Sequence, residues 1–161
     1  MNRTDYIEGE GPSRLDVERN NVEVIRAFLG QGGDPNFDDG KLLRSAACHN
    51  NVTILALLLS YGADPNIEDT DALHLAAMSG AADAVALLCE AGADIHSTDG
   101  RAINWGAFSG DVKTIETLLD RGADPAQIEN PPPAALAAIQ AYRLKHHHDA
   151  PEASPKPTSS L

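Results

Sequence analysis

The side chains able to act as nucleophiles, bases or metal ligands gather at two places. Cys48, His49 and His74 lie near the middle of the chain, and His146, His147, His148 and Asp149 follow one another further on. A thiol beside an imidazole is the pairing of covalent catalysis, and imidazoles with a carboxylate are a common set of zinc ligands. Adjacent residues at the end of a helix point in different directions, so the histidine run reads as a cationic helix terminus favoured by the macrodipole. No phosphate-binding loop, dinucleotide fingerprint, nucleophile motif or zinc spacing occurs. The sequence therefore predicts no catalytic residue, no metal and no cofactor. The alternative is an enzyme or metal-binding protein that draws on Cys48, His49 and His74.

Charge narrows the partners. The chain has 12 Lys and Arg against 24 Asp and Glu, a net charge of −12. Phosphate recognition needs a basic footprint, so nucleic acid and anionic membrane surfaces are poor targets. No lysine or arginine occurs between Ser45 and Gly100, where Asp64, Glu68, Asp69, Asp71, Asp83, Glu90, Asp94 and Asp99 all lie. No apolar run approaches membrane-spanning length, no charged-then-apolar leader opens the chain, and two cysteines make no disulfide framework. A cytoplasmic protein with no membrane contact is expected. Aromatic residues are only 4% of the chain. Its core must then be built from Ala, Leu, Val and Ile, which suits thin layers of helices.

What positions these residues is a repeat. The phrases GGDPN, GADPN, GADIH and GADPA begin at Gly32, Gly62, Gly92 and Gly122, thirty residues apart each time. Fixed periodicity of this kind marks a stacked array. Each glycine follows an apolar helix, where a left-handed residue satisfies the free carbonyls at no Cβ cost. Asp34, Asp64, Asp94 and Asp124 then offer turn acceptors, and Pro35, Pro65 and Pro125 stop the helix from resuming.

The preceding helix carries aligned apolar rows: Val22, Val52, Ala82 and Val112; Ile25, Leu55, Val85 and Ile115; Phe28, Leu58, Leu88 and Leu118; Leu29, Leu59, Cys89 and Leu119. Offsets of three and four describe one buried stripe, in which Cys89 is a small hydrophobe. A first helix in each unit reads LLRSAACHN, ALHLAAMSG and AINWGAFSG from Leu42, Ala72 and Ala102, with small pairs that let neighbours approach. The first unit is more polar, with Leu15 and Val17 at the apolar places, as a terminal unit should be. Residues 1–10 read as a tail and 11–130 as four repeats. Residues 131–148 read as a capping helix, with Leu136, Ile139 and Tyr142 spaced to cover the end of the stack. Residues 149–161 read as a disordered tail.

ALHLAAMSG followed by VALLCEAGADIH resembles the ankyrin repeat, whose units carry a TPLHLAA-type helix, an LL pair and a GADVN-type loop. The resemblance covers residues 11–130. It implies an all-α, ankyrin-type helix-turn-helix solenoid. Ankyrin units run about 33 residues, so units of thirty imply shortened β-hairpin fingers. The Thr-Pro of the family is absent, with Lys41–Leu42, Asp71–Ala72 and Arg101–Ala102 in its place. His74 alone keeps the motif's histidine, which the resemblance makes a loop brace and not a catalyst.

The same resemblance implies a non-catalytic module that binds another protein through its fingers and the exposed face of its first helices, as an adaptor, inhibitor or immunity-type protein. In the fingers lie Asp38, Asp39, Glu68, Asp69, Asp71 and Asp99, beside Lys41 and Arg101; Asp39, Asp69 and Asp99 could each cap the helix that follows. On the exposed face run Glu18, Cys48, Met78 and Phe108, with Arg19, His49, Ser79 and Ser109 next to them. The expected partner-binding residues are Asp38, Asp39, Lys41, Cys48, His49, Glu68, Asp69, Asp71, Met78, Ser79, Asp99, Arg101 and Phe108. They form an acidic concave face for a protein with a basic surface, on a chain that is monomeric when free.

Gly62 and Gly92 test the repeat phrase. Gly62→Val and Gly92→Val should each cost about 1–2 kcal/mol from backbone sterics at a left-handed residue. Thermal melts read this out, and unchanged midpoints would mean that the helices end in another way.

Overall fold

Two short helices that reverse on each other, and must bury one stripe apiece, generate the architecture. The computed structural model describes residues 11–146, without the side chains of residues 68–71 and 98–100. The expected tails at 1–10 and 149–161, and His147 and His148, lie outside the described residues.

In chain order the helices are α1 (Arg14–Glu18), α2 (Val22–Gly30), α3 (Phe37–Cys48), α4 (Val52–Ser60), α5 (Ile67–Met78), α6 (Ala82–Glu90), α7 (Ser97–Ser109), α8 (Val112–Asp120) and α9 (Pro133–His146). A single 3₁₀ turn, Pro125–Gln127, precedes α9, and there is no strand among the described residues. The odd helices α1, α3, α5 and α7 pack side by side, the even helices α2, α4, α6 and α8 form a second layer, and α9 closes the stack against α8 and α7. This is the expected all-α solenoid.

Its core lies between the layers. Ala46, Ala47, Ala76, Ala77 and Ala107 are buried where odd helices meet, with Leu42, Leu43, Leu73 and Ile103 beside them. Ile25, Leu55, Val85 and Ile115 are fully buried, as are Leu58, Leu88 and Leu118. The Val22 row departs from expectation in part: Ala82 is buried and Val22 half-buried against the core, but Val52 and Val112 are exposed, and a fully buried row starts two residues after them with Ile54, Ala84 and Thr114. At 3.6 residues per turn the Val52 row lies about 90° from the centre of the arc that Ile54, Leu55, Leu58 and Leu59 span.

Two end positions also differ. Leu15 is 54% exposed although its register mate Ser45 is buried, because no described helix packs on the outer side of α1; Val17, in register with Ala47, is the buried residue. On α9 the contact with the stack is made by Ala135, Ala138 and Ile139, while Leu136 faces solvent.

Gly32, Gly62, Gly92 and Gly122 have φ between 89° and 94°, as the repeat phrase requires. After α4, Gly62 N–H donates to the Leu59 carbonyl (3.0 Å) and Ala63 N–H to that of Leu58 (3.1 Å), closing the helix. A second left-handed row, Asn20, Asn50, Gly80 and Gly110, turns the chain between the two helices of each unit. The asparagines there also join units: Ala84 N–H donates to Asn50 Oδ1 (3.0 Å), and Asn51 Nδ2 donates to the Val17 carbonyl (3.1 Å).

The aspartates of the phrase act locally and its asparagines act between units. Asp34, Asp64, Asp94 and Asp124 each accept from the amide two residues on, at 2.8–2.9 Å. Asn36 Oδ1 accepts from Asp64 N–H and Asn66 Oδ1 from Asp94 N–H, both at 2.8 Å, and Asn66 Nδ2 donates to the Gly92 carbonyl at 3.0 Å. His96 fills the slot in the third copy, and the amide of Asp124 receives no such bond among the described residues.

The first finger is a turn and not a hairpin. Asp38, Asp39 and Gly40 are all left-handed, with φ of 53°, 51° and 73°. A Cβ on Gly40 would lie 2.5 Å from Ile67 Cγ2, so conformation and space both demand glycine. Asp39 does not cap α3: a cap needs extended backbone, which it lacks. Among the described residues the α-helix N-cap side chains that accept lie on even helices, Asn51 from Ile54 N–H (3.2 Å) and Asp111 from Thr114 N–H (2.7 Å), while at α1 the Asp16 carboxylate accepts from Ser13 N–H (2.9 Å). The side chains of Asp69 and Asp99 lie outside the described residues.

His96→Asn supplies the missing rung and should stabilise the protein by about 0.5–1.5 kcal/mol, the net worth of one hydrogen bond. Asn66→Ala removes two rungs and should lower the melting midpoint by more than His96→Asn raises it. A His96→Asn protein that melts no higher than wild type would show that the rung adds nothing at this junction.

Candidate functional site

On each odd helix, offsets of zero, three, four and seven residues lie on one face. The face turned away from the even helices therefore presents four rows. They run from Lys41 to Arg101; from Arg14 through Arg44 and His74 to Asn104; from Leu15 through Ser45 and Leu75 to Trp105; and from Glu18 through Cys48 and Met78 to Phe108. Three depressions open along this face. Arg14, Lys41, Arg44, Ser45, Cys48, His49 and Leu75 line the first. His74, Leu75, Met78, Arg101 and Trp105 line the second. Arg101, Asn104, Trp105, Ala107, Phe108, Glu129, Asn130 and Pro132 line the third. Shared Leu75, Arg101 and Trp105 join them into one groove across the odd helices.

Of the residues expected to bind a partner, Lys41, Cys48, His49, Met78, Arg101 and Phe108 line this groove. Ser79 sits beside it, its Oγ 3.4 Å from Cys48 Sγ. Asp38 and Asp39 are exposed at its border, and Asp38 reaches it only through an ion pair with Lys41 (2.7 Å). The side chains of Glu68, Asp69, Asp71 and Asp99 lie outside the described residues. Sequence reasoning missed Arg14, Arg44, Leu75 and Trp105. Their signal was present, since each stands three or four residues before a member of the Glu18–Phe108 stripe.

Among the described residues the lining carries Arg14, Lys41, Arg44 and Arg101 against Glu129. Asp71 stands between Lys41 and Arg101 in the first row, and its side chain lies outside the described residues. Arg14 pairs with Glu18 at 2.6 Å, while Arg44 and Arg101 form no ion pair among the described residues. Apolar groups occupy the far end. Phe108 is 75% exposed and Met78 39% exposed, and the Trp105 ring meets Phe108 edge-on at 5.8 Å.

On the even helices, charges are matched from unit to unit. Lys113 pairs with Asp83 (2.7 Å), Arg121 with Glu90 (2.7 Å) and Lys145 with Glu116 (3.0 Å). The hydrogen bond from Lys113 holds the Asp83 carboxyl below the usual range, and Asp83 in turn raises the Lys113 ammonium.

The thiol and imidazoles form no dyad. Cys48 contacts Ser79, while His49 Nδ1 lies 2.8 Å from the Ser45 carbonyl and its Nε2 3.8 Å from Glu18. His74 is buried in the middle of the floor. In its slot one unit on, Asn104 braces a loop: Nδ2 donates to the Gln127 carbonyl (2.8 Å), and Oδ1 accepts from Glu129 N–H (2.9 Å). Among the described residues no three or more His, Cys, Asp or Glu side chains are grouped to hold a metal ion. No described helix is long and apolar enough to cross a membrane.

Residues 14–99 and 46–129 match the family model described as ankyrin repeats (3 copies). Together the two overlapping matches take in most of the chain. No curated protein matches it.

Burial pushes the Cys89 thiol up, which disfavours the reactive thiolate. In a Cys48→Ser background, alkylation of Cys89 near pH 8 should run about tenfold or more below the rate of the same protein in denaturant, by the fall in thiolate fraction and access. Equal rates in the two conditions would show that Cys89 is not held in the core.

Proposed function

The chain belongs to the ankyrin repeat family, and from that premise we propose that it is a non-catalytic module whose groove holds a segment of a partner protein. Ankyrin repeats in general mediate protein–protein interaction. What supports the reading here is one observation: Phe108 and Met78 are exposed on the outer side of the odd helices, and Phe108 stands edge-on to Trp105, whose half-buried ring packs against the core. Large exposed apolar groups ringed by polar ones are the usual anchors of an interface.

Acids at the border have a different task. Asp38 and Asp39, with Glu68, Asp69, Asp71 and Asp99 of the other fingers, meet basic groups on the surface of the partner and set the association rate. The protein acts as a monomer in the cytoplasm, a setting that suits the free thiols of Cys48 and Cys89. Its role is that of an adaptor, inhibitor or immunity-type protein.

Co-purification from the native cell identifies the partner, and surface plasmon resonance then measures it. Phe108→Ala should raise the dissociation rate at a cost of about 1–3 kcal/mol, as truncation of a buried interface aromatic does. Glu68→Lys with Asp69→Lys should instead slow association and flatten its salt dependence. If both variants bind like wild type, the groove is not the working surface.

A further inference from the structure

We propose, building on the protein-binding role above, that the segment seated in the groove is itself acidic and apolar: its carboxylates bind Arg44 and Arg101 and its hydrophobic side chain packs on Trp105 and Phe108. The chain has twice as many acids as bases, 24 against 12, yet these two arginines on the groove floor are left without a carboxylate among the described residues. Arg44 is half-buried in the first depression, and exposed Arg101 lines the other two.

A second, independent group points the same way. Ser45 lines the same depression as Arg44, is 7% exposed, and its hydroxyl has no hydrogen-bond partner among the described residues. A buried hydroxyl left unmatched is costly. With the Ser45 side chain turned about χ1 toward the depression, one carboxylate would take the serine proton in a hydrogen bond and two from the Arg44 guanidinium fork. A lysine or arginine on the segment would meet like charge from Arg44 and Arg101, which form no ion pair among the described residues.

Length agrees with a short linear segment. Neighbouring packed helices stand about 8–10 Å apart, so Arg44 on α3 and Trp105 on α7 are separated by roughly 16–20 Å. An extended peptide rises about 3.3 Å per residue and covers that span with about five or six residues. Beyond roughly 8 Å the net negative charge of the whole chain is screened at physiological ionic strength. The floor's own cations therefore decide the sign of charge accepted at contact, while the border acids address basic groups that flank the segment.

A random peptide display library panned against the full chain tests this. Enriched peptides are expected to join Asp or Glu to Phe, Leu, Met or Trp within a few residues, and to shift the emission of Trp105, the only tryptophan. Arg44→Gln with Arg101→Gln should weaken them about tenfold or more, equal to 1.4 kcal/mol. Arg44→Lys with Arg101→Lys, which keeps the charge and guards against a folding defect, should restore part of the loss. Enrichment of Lys- or Arg-bearing peptides, or of uncharged ones, that still depend on Phe108 would overturn the acidic segment and leave the groove reading intact. No enrichment, or peptides indifferent to Phe108→Ala and to both arginine changes, would overturn both.

Discussion

Close contact between the odd helices is the constraint on which the rest of the structure depends. Ala46–Ala47, Ala76–Ala77 and Gly106–Ala107 let α3, α5 and α7 pack with little side-chain bulk between them. A Cβ on Gly106 would lie 2.7 Å from Leu118 Cδ1 on α8, so a larger residue there would push on the even layer. Because each odd helix spends its small residues on its neighbours and its leucines on the even layer, its remaining face is free. That face is the groove.

Polar groups of the turns keep the units in register. The glycine phrase ends one helix, its aspartate folds the turn, and its asparagine reaches the next unit. Asn50 and Asn51 do the same at the opposite end of the helices. These bonds satisfy backbone amides that loops would otherwise leave to water. The terminal units use other means. At the start, Asp16 accepts from both the amide and the hydroxyl of Ser13, and at the end α9 covers the last pair of helices with Ala135, Ala138 and Ile139.

Charge is divided between the two sides of the solenoid. On the even helices, acids and bases about one repeat apart find each other at exposed positions, and pairs of that kind add little stability. On the odd helices, Arg44 and Arg101 form no ion pair among the described residues, and Arg101 lies beside exposed Phe108. The first arrangement uses charge within the molecule. The second leaves it available to another one.

The thirty-residue period by itself determined the stack. A fixed spacing of glycine, aspartate and apolar pairs dictates left-handed turns and two stripes per unit, because backbone sterics and helical geometry are local. It also placed Met78 and Phe108 on the free face, through helical spacing alone. The asparagine row at Asn20 and Asn50 was equally periodic, but asparagine, unlike glycine, does not announce positive φ. Tertiary structure decided the rest. Asp39 reads as a cap, yet lies in a left-handed turn that brings Gly40 against Ile67. The stretch from Ser45 to Gly100 has no cation, and the linear order alone does not say which bases from outside it share its face. Folding sets Arg14, Lys41 and Arg44 from before that stretch, and Arg101 from after it, along one groove. Charge at a surface depends on which residues share a face, and stacking brings together residues that the sequence keeps thirty or more apart.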